Sequence, residues 1–161
     1  MSPKNRKVQQ FSARGGVMAA AAVATLAGIG GPAAAIPTDP VVQFTPTLTR
    51  VPGGNCAAII NAETVPQAQS GQFGVRVKIT QSGQFCGAYR VAVRWRNLDS
   101  GYSDGQSHRV DENGVINATD GVIVGMGTAP GAGRVEASIV TTYEDGREME
   151  YLAGTAAFTL G

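Results

Sequence analysis

The chain has 161 residues, with 13 basic and 12 acidic side chains and a formal net charge of +1 at pH 7. This near balance argues against a nucleic-acid-binding protein, which would carry a clear excess of Lys and Arg. The sequence also argues against a serine or cysteine hydrolase. No GxSxG motif is present, the two cysteines are expected to pair, and the only histidine, His108, lies in a short polar run where a surface position is usual.

Residues 1–35 have the three-part order of a secretory signal peptide. Residues 1–16 carry four basic side chains and no acidic one, and residues 17–29 are apolar and uncharged. Ala33 and Ala35 then supply the small-x-small pattern that signal peptidase requires. We therefore predict cleavage after Ala35 and a secreted protein, located in the cell envelope or the medium. The alternative, an uncleaved membrane anchor, is disfavoured by the short, alanine-rich apolar segment.

Cleavage at this position would change the charge balance. It removes four of the thirteen basic residues and none of the twelve acidic ones, which leaves nine against twelve. The mature part, residues 36–161, is long enough for a single domain with one core. It contains no second apolar stretch that could span a membrane. Eight of its nine basic residues are arginines, and Ala and Gly are abundant, a composition that indicates a bacterium with a GC-rich genome.

The mature part contains two cysteines, Cys56 and Cys86. An even pair in an exported protein predicts a disulfide bond between them. The alternative is a pair of free thiols with a redox or metal-binding role. The absence of a CxxC spacing and the single histidine in the chain disfavour that alternative.

After a linker with two prolines at residues 36–40, strand-like runs alternate with turn signals along the mature chain. No segment there shows a helical period. We therefore predict an all-β fold, an antiparallel β-sandwich of about seven to eight strands that is immunoglobulin-like in its general architecture. The strand-like runs are residues 41–51, 56–60, 73–80, 86–97, 107–111, 114–118, 120–126, 133–143 and 147–160.

Two of the turn signals predict hairpins between neighbouring strands. The sequence QSGQ at residues 81–84 is a short connection between the runs 73–80 and 86–97. The sequence EDG at residues 144–146 connects the last two runs in the same way.

Residues 89–97, YRVAVRWRN, alternate basic with large apolar side chains. Because alternate residues of a strand face opposite sides, Tyr89, Val91, Val93 and Trp95 are predicted to face the core, with the arginines outward. The preceding run has basic residues in the same outward phase, so the predicted hairpin would place five basic groups on one surface. These groups are Arg76, Lys78, Arg90, Arg94 and Arg96.

Two interpretations of this basic surface are open. The first, which we favour from the sequence, is a solvated sheet face with cross-strand partners at Glu136, Glu148 and Glu150. The second is a binding surface for anions or an anionic polymer, because the arginine fork binds two oxygens of a carboxylate or phosphate at once.

Two further patterns resemble ligand sites but fit turns better. The glycine-rich residues 121–133 have the spacing GxGxxxG, and a strand-like run rather than a helix follows them. The acidic residues 99–106 and 111–121 lack the twelve-residue calcium loop and are rich in turn-forming Asp-Gly and Asn-Gly pairs. We therefore predict no catalytic residue, no metal site and no cofactor.

These expectations favour an exported, non-enzymatic β-sandwich that acts as a surface binding module. Its partner is unknown, and a cell-envelope polymer or another exported protein would fit, whereas a nucleic acid would not. One alternative is a small hydrolase, or a hydrolase inhibitor that uses residues 64–72 as a protruding loop. Another is a carrier that holds a small apolar ligand among its aromatic side chains. The candidate lining residues of that carrier are Phe73, Tyr89, Trp95, Tyr143, Tyr151 and Phe158.

Overall fold

The computed structural model describes residues 39–123, 130–149 and 151–161. The predicted signal peptide at residues 1–35 and one of the three predicted acidic partners, Glu150, lie outside this described part. Within it, no helix is long and apolar enough to cross a membrane.

The described residues form nine strands in two antiparallel sheets. The strands of sheet I are β1 Thr47–Arg50, β2 Ala57–Pro66, β3 Phe73–Ser82, β6 Val122–Ile123 and β8 Tyr151–Leu152. Those of sheet II are β4 Tyr89–Asn97, β5 Ser103–Val110, β7 Gly133–Thr142 and β9 Gly154–Leu160. Sheet I has the strand order β6-β3-β2-β1-β8, and sheet II has the order β5-β4-β7-β9.

This arrangement confirms the predicted all-β sandwich. The predicted run 147–160 divides into the two strands β8 and β9. The predicted run 114–118 forms no strand, and only Ile116 makes an isolated bridge, to Val110.

The core lies between the inner faces of the two sheets. The residues of β4 predicted to face inward, Tyr89, Val91, Val93 and Trp95, are all buried. On β3, the apolar positions from Phe73 to Val77 are buried in the same alternating way, while Arg76 and Lys78 are exposed. The period of two in the sequence therefore predicted the inner face of both strands correctly.

Aromatic rings join the two sheets within the core, near the start of β3 and the end of β4. Phe73 of sheet I makes edge contacts with Trp95 and Phe158 of sheet II, at 5.9 and 4.9 Å between ring centroids. Such edge-to-face pairs add to the stability that comes from burying the rings.

The predicted disulfide between Cys56 and Cys86 is confirmed, with 5.7 Å between the two Cα atoms. Cys56 immediately precedes β2 of sheet I, and Cys86 lies in the connection that leads to β4 of sheet II. Both cysteines are buried with the core residues. The bond therefore holds the two sheets together at one end of the sandwich.

The predicted hairpin between residues 73–80 and 86–97 is wrong. Strand β3 pairs with β2 and β6, whereas β4 pairs with β5 and β7 in the other sheet. The disulfide supplies the physical reason, because it draws Cys86 into the core and leaves residues 83–88 outside any strand. This connection is longer than the two-residue turn of a tight hairpin, and it carries the chain from one sheet to the other.

The last predicted hairpin is present, with an interruption. Strand β7 pairs with β9 in the antiparallel sense, and Thr142 forms a separate bridge with Glu148. Between these pairings the chain leaves sheet II, and β8 pairs with β1 of sheet I.

The chain returns to sheet II at Gly154, whose amide N donates to Thr47 Oγ1 at 2.8 Å. A side chain at this glycine would collide with the backbone of Thr45, so the return requires glycine.

Candidate functional site

The five basic residues of the candidate surface lie on two opposite faces of the sandwich. Arg90, Arg94 and Arg96 stand on the outer face of sheet II, which we call the arginine face, whereas Arg76 and Lys78 stand on the outer face of sheet I. The prediction of one shared surface is therefore wrong, because it depended on the hairpin that does not form. Packed sheets lie about 10 Å apart, so the two basic groups act as separate surfaces.

Arg90 is fixed to the neighbouring edge strand. Its Nε donates to Ser107 Oγ at 2.7 Å and its Nη2 donates to the Ser107 carbonyl at 3.0 Å. The side chain is half-buried. Its donors therefore serve mainly to hold β5 against β4.

Arg94 forms an ion pair across strand β7. Its Nη1 donates to Glu148 Oε1 at 2.6 Å, and this contact lowers the pKa of the Glu148 carboxyl. Arg94 stands opposite Ser138, and Glu148 stands opposite Thr142. The pair must therefore pass over Val140, the outward residue between them, which is buried although it faces away from the core. The pairing expected between the arginine row and Glu148 is confirmed.

Arg96 differs from the other two arginines. It is exposed and stands directly opposite Glu136 of β7. Within the described part of the chain, no carboxylate forms an ion pair with it. Its guanidinium is therefore the best placed of the three to bind an external anion.

A depression of about 610 Å³ lies beside Arg96, over strands β4, β7 and β9. Short side chains on the two outer strands, among them Ser138, Thr155 and Ala157, leave this space open. The walls combine guanidinium donors, two hydroxyl groups and the carboxylate of Glu136. Such a set of groups can bind carboxylate and hydroxyl groups of a ligand.

A second depression of about 660 Å³ lies on the other side of Arg94, between β5 and the turn at residues 143–146. Arg94 lines both depressions. Together they form a trough across the outer face of sheet II, from the edge strand β5 to the edge strand β9. An elongated ligand would fit this trough better than a compact one.

The basic residues of sheet I have a different environment. Arg76 Nη1 donates to Glu63 Oε1 at 2.7 Å, and Gln43 Nε2 donates to the other oxygen of this carboxylate at 2.6 Å. The hydrogen bond from Gln43, followed by that from Arg76, lowers the pKa of Glu63. The charge of Arg76 is therefore compensated locally, and among described residues no ion pair involves Lys78.

The six aromatic residues predicted to line an apolar pocket do not meet in one cleft. Phe73, Tyr89, Trp95 and Phe158 are buried in the core. Tyr143 lies on the surface, where the guanidinium of Arg147 stands 5.1 Å from the ring centroid. Tyr151 lies on β8, and its hydroxyl donates to Glu148 at 3.3 Å.

His108 is half-buried on the edge strand β5, with Nδ1 2.9 Å from the carbonyl oxygen of Asn117.

The carboxylates of the acidic turns bind groups close to them in the structure. Asp111 accepts the backbone N–H groups of Asn113 and Val115, and the Val115 bond chiefly lowers its pKa. Asp99 accepts from both the backbone and the guanidinium of Arg134. In the described ranges, no cluster of three His, Cys, Asp or Glu side chains could hold a metal ion.

The sequence analysis did not predict that small side chains line a trough on this face. The pattern that could have identified them is the alternation along two strands. Ser138 lies between buried residues of β7, and Thr155 follows a buried residue of β9, so both face outward. The phase alone could not show that these strands lie next to β4.

Comparison with known proteins gives no further guide to this site. No protein-family model matches the chain, and neither a curated protein nor a solved structure is significantly similar to it.

Proposed function

We propose that the protein is an exported, non-enzymatic binding module that holds an acidic polymer of the bacterial cell envelope in the trough on its arginine face. The observation that carries the proposal is the pair of depressions that meet at Arg94, with the exposed guanidinium of Arg96 beside one of them. A polymer chain can run along such a trough and present an acidic group at Arg96.

The chemistry of the trough favours sugar acids over uncharged sugars. A guanidinium binds a carboxylate or phosphate through two parallel hydrogen bonds, which an uncharged hydroxyl cannot match. The hydroxyl groups of Ser138 and Thr155 can pair with those of a sugar ring. Glu136 stands directly opposite Arg96 and would repel an acidic group bound there, so it limits the affinity of this site.

The sequence of residues 1–35 supports export, and the Cys56–Cys86 disulfide is consistent with an oxidising compartment. The mature part has nine basic residues against twelve acidic ones. Attraction of an acidic group would therefore come from the exposed guanidinium of Arg96 and not from the net charge of the protein. The second depression, whose lining includes Asp104, Glu144 and Asp145, would instead face the hydroxyl groups of the polymer.

The test measures binding of polygalacturonate and of teichoic acid, with uncharged dextran as the neutral control, at low and high salt. Wild-type protein should bind at least one acidic polymer at low salt and should lose most of this binding at high salt. Arg96→Gln should weaken binding several-fold. The matched variant Arg76→Gln removes an equal charge from the outer face of sheet I, on the opposite side of the sandwich, and should leave binding nearly unchanged.

Three results would refute the proposal. The first is absence of binding to both acidic polymers, which would leave the arginine face as a solvated surface. The second is equal binding of dextran, and the third is an equal effect of the two arginine variants.

A further inference from the structure

Strand β9 lies at one edge of sheet II, next to β7. Successive residues of a strand direct their backbone N–H and C=O groups to opposite sides, so every second residue of an edge strand directs them away from the sheet. Thr155 is such a residue, because its carbonyl accepts from the N–H of Thr45, which lies outside sheet II, at 3.0 Å. Ala157 and Thr159 have the same phase, so their backbone groups also point away from β7.

The outward backbone groups of Ala157 and Thr159 have no hydrogen-bond partner among the described residues. The chain itself occupies the edge on either side of them. On one side it does so at Thr155, and on the other the Gly161 carbonyl accepts from the N–H of Gly71 at 2.9 Å. Ala157 and Thr159 are both exposed. Two donors and two acceptors in the middle of the edge are therefore open to a partner.

Proteins usually protect the edges of their sheets with short strands, charged side chains or proline. In the part of the chain that the structure describes, the edge strands of sheet I, β6 and β8, have two residues each. Groups within the protein bond to three outward residues of β5: Gly105 through Asp104, Ser107 through Arg90, and Arg109 through Asn117. Strand β9, with the sequence GTAAFTL, carries no charged side chain and no proline. Its edge is therefore the one suited to pair with a further strand.

We propose that the edge of β9 binds an extended peptide segment of another protein, which adds a fifth strand to sheet II. The backbone groups of a strand have the same spacing as those of Ala157 and Thr159, so the segment can bond to all four. Its outward side chains would lie beside those of Ala157 and Thr159. The alternate side chains would lie beside Phe158 and Leu160, which are buried. The segment that fits therefore alternates small polar with aliphatic residues and carries no charge.

The occupied ends of the edge argue against β9 of a second copy as the partner. If two copies paired in the antiparallel sense about Phe158, Gly161 of one copy would lie opposite Thr155 of the other. Thr45 already fills the space beside Thr155, so the two copies would collide. A short free segment fits between the occupied ends. A sugar polymer lacks the regular series of N–H and C=O groups that this edge can pair with.

The test uses the exported protein and two isomeric peptides of alternating threonine and valine. The first peptide is N-methylated at its valines, whose N–H groups would point to solvent. The second is N-methylated at its threonines, whose N–H groups would face β9. Hydrogen exchange followed by NMR should show faster exchange at Ala157 and Thr159 than at Ala156 and Phe158, whose amides point to β7. The first peptide should slow exchange at Ala157 and Thr159 at least about five-fold, and the second should not.

Three results of this experiment would overturn the proposal. The first is slow exchange at Ala157 and Thr159 in the free protein, which would mean that the edge is already covered. The second is absence of slowing by the first peptide, and the third is equal slowing by the two peptides.

Variants test the site from the side of the protein. Ala157→Pro removes an N–H that β7 does not use, so the fold should tolerate it. Peptide binding, measured at the amide of Thr159, should fall about five-fold. The matched control Ser103→Pro removes an outward N–H at the other edge of sheet II and should bind as the wild type does. Equal losses in the two proline variants, with circular dichroism showing both folded, would contradict the proposal.

The site adjoins the trough but does not depend on the function proposed for it. Arg96→Gln, which should weaken binding of acidic polymers, should leave binding of the uncharged peptide unchanged. A failure of the polymer test can therefore be distinguished from a failure of the peptide test.

Discussion

Arg94 and Glu148 form an ion pair that crosses strand β7, with 2.6 Å between Nη1 and Oε1. Each of the two side chains is about half exposed, so water and salt screen the attraction and the pair stabilises the fold only weakly. The position of the pair also matters for the proposed binding site. Arg94 lies where the two depressions of the arginine face meet, so the pair holds its guanidinium in place between them.

Glu148→Gln should remove an acid-sensitive part of the stability. The hydrogen bond from Arg94 holds the pKa of Glu148 below its ordinary value of 4.5. A carboxylate with a lowered pKa in the folded state stabilises the fold above its unfolded-state pKa, and this contribution is lost as the pH falls. Urea midpoints measured from about pH 6 down to about pH 3 should therefore fall further for the wild type than for the variant. Parallel curves would contradict the expectation.

Trp95→Ala should cost about 3–5 kcal/mol of unfolding free energy through lost burial and a residual cavity. Trp95 is buried and contacts the ring of Phe73 in the opposite sheet, so the variant weakens the packing between the sheets. The matched outward change on the same strand, Arg96→Gln, should cost at most about 0.5 kcal/mol. Urea unfolding at neutral pH measures both. Similar losses for the two variants would show that the inner and outer faces of β4 are wrongly assigned.

The contrast between these two variants also shows what the sequence could predict. Which side of β4 faces the core follows from the local alternation of Tyr89, Val91, Val93 and Trp95 with shorter or charged residues. Which strand lies next to β4 depends on contacts far apart in the chain, and no local signal encodes it. The sequence therefore predicted correctly that the arginines of β4 face outward. It wrongly placed Arg76 and Lys78, which lie on sheet I, on the same surface as these arginines.

The position of Cys86 also depends on a contact far away in the chain. In a continuous strand from Cys86 to Trp95, this cysteine would share the outward phase of the arginines. The disulfide to Cys56 holds it in the core instead, and β4 begins at Tyr89 after an irregular connection. The pairing of the cysteines was predictable from their number and from export, but its effect on the strand order was not.

Tyr89→Phe should make the protein more resistant to alkaline pH. Burial raises the pKa of Tyr89 to about 12, above its ordinary value of 10.0. The unfolded chain therefore loses this proton first, and wild-type stability should fall as the pH rises from 10.0 towards about 12. No hydrogen-bond partner of the Tyr89 hydroxyl is present among the described residues, so Tyr89→Phe should be neutral or slightly stabilising at pH 7.

Guanidinium unfolding at neutral pH and above pH 10.0 provides the measurement, and Tyr143→Phe is the matched control. Tyr143 is 37% exposed, and its replacement should leave the alkaline loss of stability in place. If Tyr89→Phe and the wild type lose the same stability between the two conditions, the assigned role of the buried hydroxyl is wrong.

Phe85→Gly should stabilise the protein by about 1 kcal/mol. Phe85 has a backbone φ of 56° and is 96% exposed, so it has a left-handed conformation without the compensation of buried apolar area. A residue with a Cβ atom pays roughly 1–2 kcal/mol for this conformation, whereas glycine adopts it freely. Part of the gain is lost because glycine is more flexible in the unfolded chain. Phe85→Ala is the control and should not stabilise; a loss of stability in the glycine variant would contradict the assigned strain.

The Cys56–Cys86 bond also determines how the protein would respond to mechanical force. Strands β2 and β3 lie entirely within the loop that the bond closes, 30 residues along the chain. A pull on the two ends of the chain would pass through the sulfur atoms and leave this loop without tension. About 100 Å of contour length would then stay hidden until the bond is reduced. The β2–β3 hairpin, with its pairing register, would survive stretching that separates the other strands.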